Sequence, residues 1–132
     1  MQEPVWIREI EVLALHRRLL AQFGGSDGIR DAGLLDSALG SPQNRFAYAD
    51  AETPPCISGL AAAYAYGICK NHPFVDGNKR TAMAVAILFS EFNSVEVNAT
   101  QEDAYLTFLN LAAGLIREEE LTTWFVKNVA PK

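Results

Sequence analysis

The chain has 132 residues, enough for one ordinary domain and few for two, so the sequence predicts a single domain over residues 1–132. With 49% hydrophobic and 20% charged residues it can bury a core, which excludes a disordered chain. A net charge of −5 excludes a protein built to coat nucleic acid or an anionic membrane. From Thr81 to Phe125 the only cation is Arg117, set against Glu91, Glu96, Glu102, Asp103, Glu118, Glu119 and Glu120, a pattern of solvated acidic helix faces. The opening MQEPVWIREIEV lacks the basic-then-apolar order of a signal peptide, and no apolar run approaches the length that spans a bilayer. Cys56 and Cys69 lack metal-ligand spacing and read as buried or half-buried free thiols in a reducing compartment, so the expected location is the cytoplasm.

In chain order, Ile7, Ile10, Leu13, Leu19, Leu20 and Phe23 follow a helical period, and Gly24-Gly25 should end that helix. The loop GGSDGIRD leads to a short helix near Asp31–Leu39, closed by Gly40 and then Pro42. The next segment, SPQNRFAYADAETPP, reads as an exposed flap or irregular loop with brief extended structure. Thr53 before Pro54 and Pro55 resembles a helix start, with an N-cap and prolines in the first turn. That helix runs to about Asn71, and its small residues let other helices approach. The run KRTAMAVAILFSEF, about 79–92, is apolar on nearly every side and belongs in the centre of a bundle. Asn93-Ser94 ends it, and VEV forms a short extended piece. Thr100 with Asp103 resembles a capping box before a helix to about Ala113; Gly114 breaks it, and EEELTTWFVKNV makes the last helix with acids at its favourable end. The expected fold is a compact all-α bundle of about six helices with a short β-flap.

The chemistry is concentrated between His72 and Arg80, in the stretch HPFVDGNKR. A flexible Asp-Gly-Asn precedes a buried helix, whose N-terminus presents unpaired N–H groups and the positive dipole end. Lys79 and Arg80 open that helix against the dipole rule, which is unfavourable unless something negative sits beside them. A di- or triphosphate fits, with Arg80 forking two oxygens and Lys79 acting as a point charge. Asp76 is a lone carboxylate of the kind that holds Mg²⁺ beside phosphates. His72 is suited to take a hydroxyl proton near neutral pH. Together they are the parts that phosphoryl or nucleotidyl transfer needs.

HPFVDGNKRTA resembles the signature of the Fic/Doc superfamily, H-x-F-x-(D/E/N)-(G/A)-N-(G/K)-R, at every position. Leu15-His16, the GGSDGIRD loop and the Leu34-Leu35 to Pro42 segment look like the Doc (death-on-curing) branch, toxins of type II toxin–antitoxin systems. The resemblance implies that His72 activates the target hydroxyl, that Asp76 binds Mg²⁺, and that Gly77 and Asn78 line an anion hole. Lys79 and Arg80 would neutralise the phosphates, while Phe74 packs inward to fix the loop. AMP-transferring members usually have Gly where this chain has Lys79, and a second arginine where it has Met83. The Lys79–Met83 combination looks like the Doc arrangement, in which the γ-phosphate of ATP passes to a threonine of elongation factor Tu and translation stops. Gly77 is instead the Fic-like choice and keeps AMP transfer as the alternative, alongside a non-catalytic domain that uses its groove to bind an antitoxin. The resemblance also places a target-docking flap around Gln43–Tyr48. No Glu here is followed by Gly or Asn, so the inhibitory helix motif of many Fic enzymes is absent from this sequence. Control is then expected from a separate antitoxin whose tail folds on binding, with no direct contact to nucleic acid or membrane.

Overall fold

The computed structural model describes residues 2–50, 52 and 54–132. Among these, six helices run in the order α1 (Glu9–Phe23), α2 (Ala32–Ala47), α3 (Ile57–Asn71), α4 (Asn78–Phe92), α5 (Gln101–Ala112) and α6 (Glu118–Lys127). Strands β1 (Val95–Val97) and β2 (Val129–Pro131) pair antiparallel, with Glu96 opposite Ala130. The fold is all-α with a small two-stranded sheet, as the sequence predicts.

The small side chains of α3 decide the packing. Leu60, Ala61, Ala62, Tyr64, Ala65 and Ile68 are all buried, and α3 lies against α2, α4, α6 and part of α5. Gly67 brings α2 closest: a Cβ there would stand 3.3 Å from both Cα and Cβ of Ala38. α4 is buried as its composition requires, through Ala82, Val85, Ala86 and Phe89, and shares the centre with α3.

The N-terminal stretch is stitched to this pair before α1 begins. The Ile7 N–H donates to the Tyr64 hydroxyl at 3.2 Å, and burial pushes that phenol up to about 12. The Asn93 side chain engages both backbone groups of Val5, at 2.8 and 3.0 Å, while Trp6 stacks on Phe89.

Several expectations need correction. The second helix does not stop at Gly40: α2 runs through Gly40 and Pro42 to Ala47. A helical glycine costs only about 1 kcal/mol, and the larger loss at Pro42 is offset by burial. The Ala38 carbonyl, which Pro42 has no N–H to reach, lies beside Gly67, while Phe46 packs edge-on to Trp6. Hence Gln43–Ala47, expected as flap or loop, are the last turns of α2, with Tyr48 as the exposed C-cap. Arg45 forms a salt bridge to Glu118, joining the end of α2 to the start of α6.

The third helix starts at Ile57 with Cys56 as N-cap, its Sγ accepting from the Gly59 N–H, so Pro54 and Pro55 precede the helix. Thr53, expected as the cap, lies outside the described residues, and Cys56 is exposed rather than buried. On α1 the inward positions are Val12 and His16, whereas Ile10 faces out. Thr100 caps α5, but Asp103 does not complete the box; its carboxylate accepts from the Trp124 indole at 2.9 Å and ties α5 to α6. No helix among the described residues is long and apolar enough to cross a membrane.

Replacing Gly67 by Val drives a branched side chain into the Ala38 backbone. The expected loss is about 1–3 kcal/mol, read as a lower urea midpoint at unchanged slope.

Candidate functional site

Residues 72–77 connect α3 to α4 and owe their shape to hydrogen bonds along both edges of an extended segment. On one edge, the Asn78 side chain accepts from the Phe74 N–H and donates to the Phe74 carbonyl, both at 2.9 Å. On the other, Ile29 bridges Phe74: Arg30 N–H donates to the Pro73 carbonyl at 2.7 Å, and Val75 N–H to the Gly28 carbonyl at 3.0 Å. The Phe74 ring is fully buried and stacks on His16, centroids 3.9 Å apart and planes 12° from parallel. His16 donates from Nε2 to the Asp76 carbonyl at 2.8 Å; since a carbonyl only accepts, this nitrogen carries a hydrogen.

The Asp76 side chain is held separately. Its Oδ2 accepts from the Ser26 N–H at 3.1 Å and its Oδ1 from the Gly77 N–H at 2.8 Å. These two backbone donors, with smaller help from Arg80 and His16, hold the carboxyl below its ordinary pKa. Gly25 makes the approach possible: at its φ of +123° a Cβ would stand 2.8 Å from Asp76 Oδ2.

α4 begins without a side-chain cap. Gly77 occupies the N-cap position in the left-handed region, φ 77°, and its carbonyl already accepts from the Thr81 N–H. The N–H groups of Asn78, Lys79 and Arg80 have no partner within a helix by geometry alone. The two cations sit over aromatic faces, Lys79 Nζ 5.0 Å from the Tyr105 ring and Arg80 4.4 Å from the Phe23 ring. A cavity of about 330 Å³ is lined by His72, Asp76, Gly77, Asn78, Lys79 and Arg80, with Cys69 and Ala112 completing its wall. All six residues singled out from the sequence therefore meet in one place. Burial pushes the Cys69 thiol up to about 12, so it stays a neutral wall group.

This arrangement accommodates a phosphate anion at the α4 N-terminus with cations on two sides. Among the described residues no three His, Cys, Asp or Glu side chains are grouped to enclose a metal. The exposed Asp76 carboxylate instead suits Mg²⁺, which uses one or two carboxylates together with water and phosphate oxygens. Asn78 departs from expectation in detail. Its amide is engaged by Phe74, which leaves its backbone N–H as the group it can offer an anion. Met83, where a second arginine is usual in AMP-transferring members, is half-buried and packed against the core.

Sequence reasoning missed the supports of the loop. The sequence assigns His16 no role; its place one helical turn after Val12, on the buried side of α1, is the signal that could have found it. Gly25, Ser26 and Arg30 all lie in the GGSDGIRD loop, and nothing in that loop's sequence says which distant backbone it meets.

Residues 6–90 match the Fic/DOC family. The chain belongs to that family, whose signature loop is the one that lines the cavity. Within it, the chain is similar to the protein kinase doc of Escherichia phage P1, 36% identical over 97 residues, which cover 74% of this chain and 75% of that protein. It is also similar to the toxin Doc of Mycolicibacterium smegmatis, 44% identical over 77 residues, 58% of each chain. These relatives place it with the Doc-type toxins.

Because the folded-state pKa of Asp76 is lowered, its ionised form stabilises the fold above the ordinary carboxylate range, and that contribution is lost as pH falls through the folded value. A carbon-detected NMR titration of Asp76 should give a midpoint below 3.8, and Ser26→Pro, which removes the N–H, should move it upward. Gly25→Ala should displace the carboxylate and abolish any Mg²⁺-induced shift of the Asp76 resonance.

Proposed function

We propose that this chain is the toxin of a toxin–antitoxin pair and a protein kinase that transfers the γ-phosphate of ATP to a threonine or serine hydroxyl of a translation factor of the elongation factor Tu kind. The observation that carries this reading is the pairing of Lys79 at the α4 N-terminus with a half-buried Met83 packed against the core. AMP-transferring members of the family hold the nucleotide with a second arginine at that position. Among the described residues, Lys79 and Arg80 are the cations that line the cavity.

His72 lines the cavity with an exposed imidazole whose side chain makes no hydrogen bond among the described residues. In the proposed transfer it takes the proton from the incoming hydroxyl. Lys79 and Arg80 stabilise the charge on the transferring group, Arg80 through its fork and Lys79 as a point charge. Gly77 and the N–H groups that follow it receive phosphate oxygens. Asp76 would hold Mg²⁺, which supplies charge neutralisation across the phosphates. The partners in this reading are the target protein and an antitoxin whose tail folds on binding, both met in the cytoplasm.

Gly77 is compatible with either chemistry. Its left-handed φ of 77° gives glycine a backbone reason to be there, whichever phosphate is transferred.

Incubating the protein with cell extract and ATP labelled at the γ- or the α-phosphate separates the two chemistries. Label from the γ-position should appear on a protein of elongation factor size, whereas α-label on protein would overturn the kinase assignment. His72→Ala should lower transfer by about 10²–10⁴-fold and relieve growth arrest on expression. Arrest that persists in this variant would mean that toxicity comes from binding alone.

A further inference from the structure

His72 stands in a backbone conformation that its own sequence disfavours. Its φ of 52° and ψ of 55° are left-handed, a region usually left to Gly or Asn at a helix end. The following Pro73 pushes residue 72 towards extended structure instead. The local chain would therefore relax, and take the imidazole with it, unless something outside the loop holds this peptide.

Arg30 is that group. Its Nε donates to the His72 carbonyl at 2.7 Å, and its terminal nitrogen donates to the Asn71 carbonyl at 2.8 Å. The planar fork thus spans the carbonyl of the last residue of α3 and that of its C-cap, at the negative end of the helix dipole where a cation is favoured. Arg30 is fixed in turn by its own N–H to the Pro73 carbonyl, and the adjoining Asp31 caps α2 by accepting from the Leu34 N–H at 2.9 Å. From the α3 side, the Asn71 amide donates to the Leu34 carbonyl at 3.0 Å. Arg30 itself is not part of the cavity wall. Asp76, Phe74 and the α4 N-terminus are held by other bonds, from Ser26, His16 and Asn78.

We propose that Arg30 is the positioning residue for His72: its guanidinium, by bridging the Asn71 and His72 carbonyls, fixes the left-handed backbone from which the imidazole projects into the cavity. The assignment rests on His72 being the base of the proposed transfer. Lysine cannot substitute, because an ammonium is a single point and the two carbonyls need a rigid fork.

The test uses Arg30→Ala and the charge-conserving Arg30→Lys, with two readouts. In γ-phosphoryl transfer, kcat should fall by about tenfold to a hundredfold, the range that a misplacement of about 1 Å costs. The KM for ATP should stay within about twofold, because the phosphate-facing groups are anchored elsewhere. Millimolar guanidinium should recover part of the activity of Arg30→Ala and none of that of His72→Ala. Independently of activity, the ¹³Cα and ¹³Cβ shifts of His72 should be left-handed in the parent and move towards extended values in both variants, with Asp76 shifts unchanged. Unchanged His72 shifts in a folded variant, or a rise in KM at constant kcat, would overturn the proposal. If the shifts move as expected but the parent transfers no phosphate, the kinase assignment fails and the coupling of Arg30 to His72 stands.

Discussion

An amide reaching back from the first turn of α4 to both backbone groups of Phe74 gives the connection between α3 and α4 its extended shape. Asn78 and Phe74 are almost wholly buried, so each of these backbone groups left without a partner would cost about 1–3 kcal/mol. The consequences run outward from there. Phe74 turns its ring inward onto His16; His16 donates to the Asp76 carbonyl; the Asp76 carboxylate then meets the Ser26 N–H. α1, the 24–31 loop and α4 are thereby tied to one short segment. Removing the Asn78 amide leaves two buried backbone groups of Phe74 unpaired at once, so a single change there costs more than one bond's worth.

The electrostatics of the site are arranged around a conflict. Lys79 and Arg80 stand at the positive end of α4, where cations are unfavourable. The protein places each over an aromatic face, Tyr105 from α5 and Phe23 from α1, whose quadrupoles attract a cation. This keeps the two charges on rings from different helices and leaves the helix end accessible between them. The carboxylate nearest by, Asp76, draws its stabilisation mainly from backbone N–H groups and only secondarily from Arg80. It is therefore not neutralised by a close salt bridge, and its charge remains available for a cation.

Much of this was legible in the sequence because it depends on local pattern. The all-round apolar run of α4, the small residues of α3 and the loop between them are read directly from neighbouring residues. What escaped depends on partners distant in the chain. Pro42 is a helix breaker by propensity, and α2 continues past it with Pro42 itself buried and Ala38, one turn earlier, packed close against Gly67 of another helix. Arg30 sits in a loop of turn-forming residues, where its charge reads as solvent exposure; its two acceptors are carbonyls some forty positions on. His16 is one histidine on an amphipathic helix, and its role appears only when Phe74 is placed beneath it. The flap expected over Gln43–Tyr48 failed for a related reason: polar residues there are tolerated in a helix whose inner side is anchored by Pro42 and Phe46.

The uncapped start of α4 has a cost that the rest of the molecule carries. A serine, threonine or aspartate in the N-cap position usually stabilises a helix by roughly a few tenths of a kcal/mol more than glycine does, and this buried helix forgoes that. Such a cap needs extended backbone and would place its own oxygen on the same N–H groups, so greater stability and an open helix end exclude one another at Gly77. Selection for thermal tolerance alone would converge on this position and close it. The glycine thus marks a point where the chain is held below its attainable stability by the requirement that the helix end stay accessible.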